Sequence, residues 1–318
     1  MSTTTATTDE RIELSTFDPV YRTPRLSTAS SIRQPVISVP NPDEVPEDAP
    51  YSVSAIPDGG YGWVIVASAF ITTFCSNGII NCWGVLQAAL LDSSLSHVRP
   101  STLSYVGSLT LALGPLFGLV AVRMVRWMGS RTTAMIGMFI MGMSLIGASF
   151  CTSNLVGLFG TVGFLGGLGM SLVYAVGNAL PVQYFSARLG LANGLIKLGG
   201  GVGGSVMAIA LEAMYQRVGI AWTFRLHGMI TLAIGMPAAW LLKQRVPLRN
   251  APFVDWTMFR DKTFIATFVA SAIGVFSLYV PPYYLPLFAK SINLSSSTGA
   301  GLVAAFNACK CQPLQSTA

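Results

Sequence analysis

Long stretches without any charged residue alternate with short basic segments from residue 61 onward. Residues 61–91 and 100–122 are two such stretches, and residues 132–187 form a third that is too long for one helix. A helix that crosses a membrane needs about 20 predominantly apolar residues. The pattern therefore predicts span 1 and span 2 in the first two stretches. It predicts spans 3 and 4 in the third, divided at the polar residues 151–154.

Further apolar stretches continue this pattern toward the C-terminus. Residues 189–214 and 221–242 predict spans 5 and 6, and residues 263–289 contain span 7. An eighth apolar segment begins near residue 298 and has only 12 residues before Lys310, which is too short to cross the hydrocarbon core by itself. The chain is therefore predicted to be an all-α, multi-pass membrane protein in contact with the lipid bilayer.

Composition excludes several other classes of protein. Apolar residues make up 52% of the chain, charged residues only 10%, and the mean hydropathy is +0.58, whereas soluble domains are about 25% charged. After residue 58 only four acids and two histidines remain, and they form no catalytic or metal-binding pattern. The basic residues lie between apolar stretches and form no patch for nucleic acid. We therefore expect no enzymatic activity, no cofactor and no metal.

Charge is distributed unevenly along the chain and predicts its orientation. Residues 1–57 are polar and contain eight of the 18 prolines, which is typical of a disordered tail. The segments that follow spans 2, 4 and 6 hold nine basic residues, and those on the opposite side hold four. Because cytoplasmic loops carry the excess of Lys and Arg, the tail and the basic loop 243–262 are expected to be cytoplasmic. The plasma membrane is the expected location.

Several short motifs carry a resemblance to a known family. Residues 58–63 (DGGYGW) resemble the beginning of the first helix in monocarboxylate transporters of the major facilitator superfamily. Residues 126–131 (RWMGSR), 188–194 (RLGLANG) and 219–225 (GIAWTFR) are similar to its loop 2–3, its loop 4–5 and the start of its sixth helix. The set resembles fungal members most, and it covers residues 58 to about 307.

The resemblance implies a major facilitator fold. Residues 58–242 would form a complete N-terminal half of six helices, and residues 263–308 would form helix 7 and the start of helix 8. Residues 309–318 depart from the family pattern, so the chain is expected to be truncated at its C-terminus. Such a chain is predicted to insert into the membrane without transporting by itself, because one half must rock against the other.

The resemblance also implies a function and its partners. The implied function is transmembrane transport of small organic anions of the monocarboxylate type. The implied partners are the anion and a proton that is transported with it. Two alternatives stay open: a truncated membrane protein without transport activity, and a transporter of another small metabolite. Many family members carry a lysine in helix 1 and an acid with an arginine in helix 8. Here the lysine position falls at about Asn81, and the helix 8 pair is missing, which leaves substrate and coupling open.

Lys197 is the main candidate for binding an anion, because it is the only basic residue well inside a span. A lysine at that depth usually faces a cavity or a partner; the alternative is that it extends to the cytoplasmic surface. Polar residues at helical spacing mark one face of span 1 and one of span 4. Helices 1 and 4 line the cavity in this superfamily, and hydrogen bonding between helices is the alternative. The candidate substrate-binding residues are Lys197, Asn77, Asn81, Tyr174 and Asn178, with Thr73 and Ser171 on the same faces.

A second group of residues is predicted to act in gating or topology. Arg123, Arg126 and Arg131 lie between spans 2 and 3, where the superfamily pattern normally includes an Asp and this chain has Val122. In span 7, Pro281 and Pro282 are expected to distort the helix, which suits a gate near the outer face or a simple helix end. In span 5, glycine pairs at four-residue spacing predict close helix approach, namely 190/194, 199/203 and 200/204.

Overall fold

The computed structural model describes residues 58–245 and 260–309, all of which belong to one compact unit, residues 53–318. The predicted tail 1–57, residues 246–259 of the basic loop and residues 310–318 lie outside the described residues. The described residues form eleven α-helices and one π-helical segment. They are α1 (Tyr61–Asn81), α2 (Trp83–Ser93), α3 (Pro100–Leu116), α4 (Gly118–Met128), α5 (Ser130–Ala148), α6 (Leu155–Leu158), the π-helix Phe159–Gly166, α7 (Gly167–Ala179), α8 (Pro181–Tyr184), α9 (Leu189–Leu241), α10 (Lys262–Ser291) and α11 (Ser296–Cys309).

Within residues 58–245 and 260–309, four helical segments are long and apolar enough to cross a membrane, and α3 with α4 makes a fifth if that bent pair is one span. The four are α1, α5, the segment Leu155–Tyr184 and α9. The division between spans 3 and 4 agrees with the sequence. There the side chain of Asn154 caps α6, accepting hydrogen bonds from the backbone of Val156 and Gly157 at 3.0 and 3.3 Å.

The helix α9 has 53 residues, far more than one membrane crossing requires. Gly219 interrupts it with φ 77° and ψ 170°, a conformation that glycine adopts readily. We call residues 189–218 the first arm and residues 220–241 the second arm. The two arms are the predicted spans 5 and 6, joined by a turn instead of a loop.

Two predicted spans are less regular than the hydropathy suggests. Span 1 breaks at Cys82 into α1 and α2. Span 2 bends by 52° at Phe117, just after Pro115, and the helix then continues to Met128. The segment 123–131 is mostly helical: Arg123 and Arg126 lie on α4, Arg131 lies on α5, and Gly129 with φ 83° separates the two helices.

Small residues bring the helices into close contact. A Cβ atom added to Gly199 in the first arm would lie 2.5 Å from the backbone oxygen of Phe70 on α1. In the second arm, one added to Gly228 would lie 2.8 Å from the backbone oxygen of Gly142 on α5. These contacts agree with the predicted role of the span 5 glycines. The pair 190/194 is the exception, since no atom lies within 4 Å of an added Cβ at either position.

The C-terminal helices contact the first six spans. On α11, the backbone oxygen of Ala304 accepts a hydrogen bond of 2.9 Å from Ser205 of the first arm. The helix α10 continues through Pro281, Pro282 and Pro286 and ends at Ser291. The prediction of a helix end at these prolines is therefore wrong. The turn of α10 that contains Pro282 and Tyr283 instead packs against Gly84 of α2.

Candidate functional site

Lys197 lies on the first arm of α9 and reaches across to α7. Its ammonium donates a hydrogen bond of 3.1 Å to the side-chain oxygen of Asn178. The same nitrogen lies 5.6 Å from the centre of the Tyr174 ring, within the range of a cation–π interaction. Both partners of the Lys197 side chain therefore lie on the neighbouring helix α7.

Three helices contribute to the group around Lys197. The Tyr174 hydroxyl donates a hydrogen bond to the side-chain oxygen of Asn77 on α1. We call Asn77, Tyr174, Asn178 and Lys197 the Lys197 cluster. Within the described part of the chain, no carboxylate lies within ion-pair distance of Lys197. The positive charge of the cluster is therefore held by neutral partners.

The other predicted polar residues lie outside this cluster. The side-chain nitrogen of Asn81 donates to the backbone oxygen of Gly200 at 3.4 Å, and only 7% of the residue is exposed. Asn81 thus forms a hydrogen bond between α1 and α9. This agrees with the alternative that the polar residues on these faces bond neighbouring helices. The hydroxyl of Ser171 is buried and has no hydrogen-bond partner among the described residues.

Two spaces adjoin the Lys197 cluster. One is a cavity of about 10 Å³, the size of about one water molecule, with Thr73, Ser76, Asn178 and Lys197 in its wall. The other is an open cleft of about 760 Å³ between α3–α4 and α7. Tyr174 and Asn178 line it together with a largely apolar wall that includes Leu111, Leu119, Val122 and Met170. Lys197 lines the small cavity, and Asn178 and Tyr174 line both spaces, so the polar groups of the cluster adjoin an apolar wall. This arrangement suits an organic anion with an apolar body.

The ends of several helices meet at one face of the bundle, which we call the Asp58 face. Tyr61 donates a hydrogen bond of 2.8 Å to the backbone oxygen of Leu241, and Tyr184 donates one of 2.9 Å to that of Lys243. The guanidinium of Arg131 lies 4.7 Å from the ring centre of Trp240. The beginnings of α1 and α5, the short helix α8 and the end of α9 therefore share this face.

Asp58 makes a contact that sequence reasoning missed. The sequence of residues 58–63 indicates only the start of a helix. In the structure the Asp58 carboxylate also accepts hydrogen bonds from the backbone of Ser186 at 2.7 Å and Arg188 at 3.4 Å. The bond from Ser186 is the main cause that lowers the pKa of Asp58. An acid beside glycines gives no signal of a partner 128 residues away.

The residues predicted for gating or topology are divided between two faces. Arg123 is exposed and Arg126 is half-buried, both on α4 near the Asp58 face. Pro281 and Pro282 lie on α10 toward the opposite face, where Lys290 forms an ion pair with Asp92 of α2. Among the described residues, no three His, Cys, Asp or Glu side chains come together as a metal site.

Comparison with known proteins identifies relatives in fungi and in a mammal. The aspyridones efflux protein of Emericella nidulans is 30% identical over 281 residues, covering 85% of this chain and 55% of that protein. An MFS-type transporter of Ophiocordyceps sp. is 29% identical over 269 residues, covering 83% and 60% respectively. Monocarboxylate transporter 4 of Rattus norvegicus is 27% identical over 276 residues, covering 81% and 57%.

The chain thus spans between 55% and 60% of the length of these three relatives. The rat relative confirms the resemblance to monocarboxylate transporters, and the two fungal relatives agree with the fungal character of the motifs. Residues 61–313 match the model of the family described as Major Facilitator Superfamily. This match covers nearly all of the helical region. The chain is therefore a member of the Major Facilitator Superfamily.

Proposed function

We propose that the protein transports small organic anions across a membrane and that the Lys197 cluster binds the anionic group. One observation carries this proposal: the ammonium of Lys197 lies inside a span and has only neutral partners, Asn178 and Tyr174, among the described residues. An intramembrane charge is costly unless a partner compensates it. A carboxylate of the substrate supplies that partner. Membership of a transporter family favours transport over catalysis.

The neutral partners suit reversible binding. An amide oxygen and an aromatic ring orient the ammonium without neutralising it, so a carboxylate gains a charge-assisted hydrogen bond when it arrives. The Asn77–Tyr174 hydrogen bond joins α1 to α7 beside the same site. Movement of either helix therefore changes the geometry that the anion meets, which couples occupancy to helix position.

A proton is proposed to accompany the anion, as the similarity to monocarboxylate transporters suggests. Neutral co-transport of an anion and a proton moves no net charge across the membrane. The Asp58 face is proposed to be cytoplasmic, because the segments after spans 2, 4 and 6 carry nine basic residues against four. The plasma membrane is the proposed location.

A second candidate is export of a larger amphiphilic metabolite. The observation that favours it is the cleft of about 760 Å³, whose wall is mainly apolar and adjoins Tyr174 and Asn178. A two- or three-carbon acid leaves most of that wall uncovered. The printed name of the Emericella relative describes efflux of aspyridones. On this alternative the same cluster binds a polar group of the metabolite.

Binding and flux of matched acids and amides test the proposal. The 318-residue chain is reconstituted in liposomes with an imposed pH gradient, and uptake of radiolabelled pyruvate and phenylpyruvate is measured. The corresponding neutral amides serve as competitors. On the proposed function we expect saturable uptake of an acid that the amides do not inhibit. The prediction that this chain inserts without transporting by itself instead expects saturable binding of the acid without uptake. Equal inhibition by the amides would favour a neutral metabolite.

The same preparation separates the site from the transport step. Saturable binding of the acids without uptake would keep the anion site and reject transport by this chain. Absence of both, in protein that remains folded and monodisperse, would contradict the proposal. Protein-free liposomes supply the baseline for leakage of the protonated acids.

A further inference from the structure

The contact between α5 and the second arm of α9 carries a cation on the side of the bundle opposite the Asp58 face. Arg225 lies on the second arm, and its Nε donates a hydrogen bond of 3.1 Å to the hydroxyl of Ser149 at the end of α5. That hydroxyl itself donates a hydrogen bond of 2.6 Å to the backbone oxygen of Ile146. One edge of the guanidinium is therefore fixed by a hydroxyl whose own proton is already engaged.

Two aromatic rings lie against the guanidinium of Arg225. Its central carbon is 4.8 Å from the centre of the Phe150 ring and 4.9 Å from the centre of the Trp222 ring. Both distances are in the range of a cation–π interaction. Phe150 is 72% exposed and Trp222 is 51% exposed, so the rings position the cation at the surface of the bundle. We call Ser149, Phe150, Trp222 and Arg225 the Arg225 site.

The charge of Arg225 is not neutralised by an acid in the described part of the chain. Within residues 58–245 and 260–309, no carboxylate lies within ion-pair distance of Arg225, and its single hydrogen bond goes to Ser149. A guanidinium has five donors in a planar fork, so four are available to another group. Two parallel donors of this fork match two oxygens of a phosphate or carboxylate. The Arg225 site therefore presents a positioned cationic fork to an oxyanion.

The second arm also shows how the Arg225 site is placed relative to a membrane. At the Asp58 face, the guanidinium of Arg131 lies 4.7 Å from the ring centre of Trp240. Trp222 and Trp240 are 18 residues apart on the second arm, which corresponds to about 27 Å along a helix. The hydrocarbon core is about 30 Å thick, and tryptophan is enriched at both of its boundaries. The two pairs of arginine and tryptophan thus match the separation of the two headgroup regions.

An apolar surface continues from the Arg225 site toward the middle of the second arm. Trp222, Arg225 and Met229 have the i, i+3, i+7 spacing of one helix face, and Met229 is exposed. On α5, the exposed Met143 precedes Phe150 by seven residues, or about two turns. A hydrocarbon chain that begins beside the guanidinium therefore meets exposed apolar side chains on both helices.

We propose that the Arg225 site binds the phosphodiester group of a phospholipid in the leaflet opposite the Asp58 face. The guanidinium donates to two phosphate oxygens, while Ser149 and the two rings hold it in that orientation. The acyl chains lie over Met143 and Met229. A phospholipid is favoured over free phosphate because exposed apolar surface adjoins the cation. The site is separate from the Lys197 cluster, and it does not depend on the proposed transport function.

Quenching of Trp222 fluorescence by bound lipid tests the site. The full chain in detergent is titrated with a phosphatidylglycerol that carries bromine near the start of one acyl chain, and with the matching brominated diacylglycerol, which lacks the phosphate. The same titrations of Trp222→Phe are subtracted, so that the difference reports on Trp222 alone among the six tryptophans. We expect half-maximal quenching at an at least about tenfold lower concentration of phosphatidylglycerol, because its phosphate accepts charge-assisted hydrogen bonds.

Variants of the site separate lipid recognition from changes in folding. Arg225→Ala should raise the half-maximal concentration of phosphatidylglycerol about tenfold. Arg225→Lys keeps the charge and loses the fork, and it should raise the concentration about threefold. Phe150→Ala removes an exposed ring and should raise it about two- to fivefold. Arg217→Ala removes an exposed cation near the turn of α9 and is the matched control, which should change nothing.

Three results would overturn the proposal. Equal half-maximal concentrations of phosphatidylglycerol and diacylglycerol would show that the phosphate is not recognised. Unchanged quenching in Arg225→Ala, in protein with the Tm of the parent, would place the lipid elsewhere; if this variant has a lower Tm, unchanged quenching in Arg225→Lys and Phe150→Ala decides in the same way. Displacement of the brominated lipid by millimolar inorganic phosphate would assign the Arg225 site to free phosphate.

Discussion

Two lysines in this protein have opposite electrostatic surroundings. Lys197 donates to an amide and lies beside an aromatic ring, and no carboxylate is within ion-pair distance among the described residues. Lys290 forms an ion pair with Asp92, and Glu212 lines the same cavity. The comparison teaches that an intramembrane charge with neutral partners is available to a ligand, whereas a charge with its own counter-ion holds helices together.

The two lysines also differ in how firmly their helices are held. Lys197 lies two residues from Gly199, where the backbones of α9 and α1 meet, and α1 carries its neighbour Asn77. Lys290 lies at the end of α10. Both lysines are exposed in the helix bundle, so the two differ in their position on the helix and not in exposure. A fixed position suits recognition of a ligand, and a peripheral one suits a contact that forms and breaks.

The largest effect is expected from filling the α1–α9 contact. In Gly199→Val the new Cβ lies 2.5 Å from the backbone oxygen of Phe70, so the two helices must separate. Overpacking against backbone destabilises by about 1–3 kcal/mol or more, and we expect a lower Tm and loss of anion binding. Gly194→Val on the same arm is the control, because no atom lies within 4 Å of its added Cβ. Equal Tm values for the two variants would show that this contact does not position Lys197.

Replacing each lysine by methionine should move stability in opposite directions. Lys197→Met removes an uncompensated charge, and we expect its Tm to rise by about 1–4 °C. Lys290→Met leaves Asp92 unpaired, and we expect its Tm to fall by up to about 4 °C, as for a partly exposed ion pair. The measurement is thermal unfolding of purified protein followed by tryptophan fluorescence. A fall of equal size in both variants would remove the distinction between the two lysines.

Asp58 provides a third, smaller test of a charge held by neutral groups. Because its pKa is lowered by the backbone hydrogen bond from Ser186, it stabilises the fold above its unfolded pKa of about 3.9. That contribution is lost as the pH falls through the lower pKa of the folded state. We expect the Tm of the wild type to exceed that of Asp58→Asn at pH 7, and the difference to shrink below about pH 4. Parallel curves between pH 7 and pH 3 would contradict the contact.

Much of the helical layout was predictable, because apolar stretches of sufficient length have few other structures in a membrane. The division at residues 151–154 and the turn between spans 5 and 6 carried polar residues or glycine as signals. The break at Cys82 carried no such signal. Arg123 and Arg126 suggested a loop because they are charged, yet charged residues on a helix that passes the membrane surface are equally well solvated.

The candidate site was predictable only in part. Lys197 was identified because it interrupts an apolar stretch, and Tyr174 and Asn178 because they share a helical face. The sequence did not distinguish Asn77 from Asn81, which lie one turn apart on α1. The structure separates them, since Asn77 contacts Tyr174 and Asn81 contacts Gly200. Which of the two asparagines meets Tyr174 depends on how α1, α7 and α9 are rotated against one another. That rotation is set by contacts between residues far apart in sequence.

The most direct test of the account is the affinity of purified protein for an organic anion with and without the Lys197 charge. Radiolabelled pyruvate and phenylpyruvate are the probes, measured by scintillation proximity on the wild type, Lys197→Gln and Lys290→Gln. A hydrogen bond to a charged group contributes about 1.5–3 kcal/mol, so we predict at least about tenfold weaker binding for Lys197→Gln. Lys290→Gln should change the affinity no more than about fivefold. Binding of either acid to Lys197→Gln with the wild-type affinity would contradict the assignment of Lys197 as the anion-binding residue.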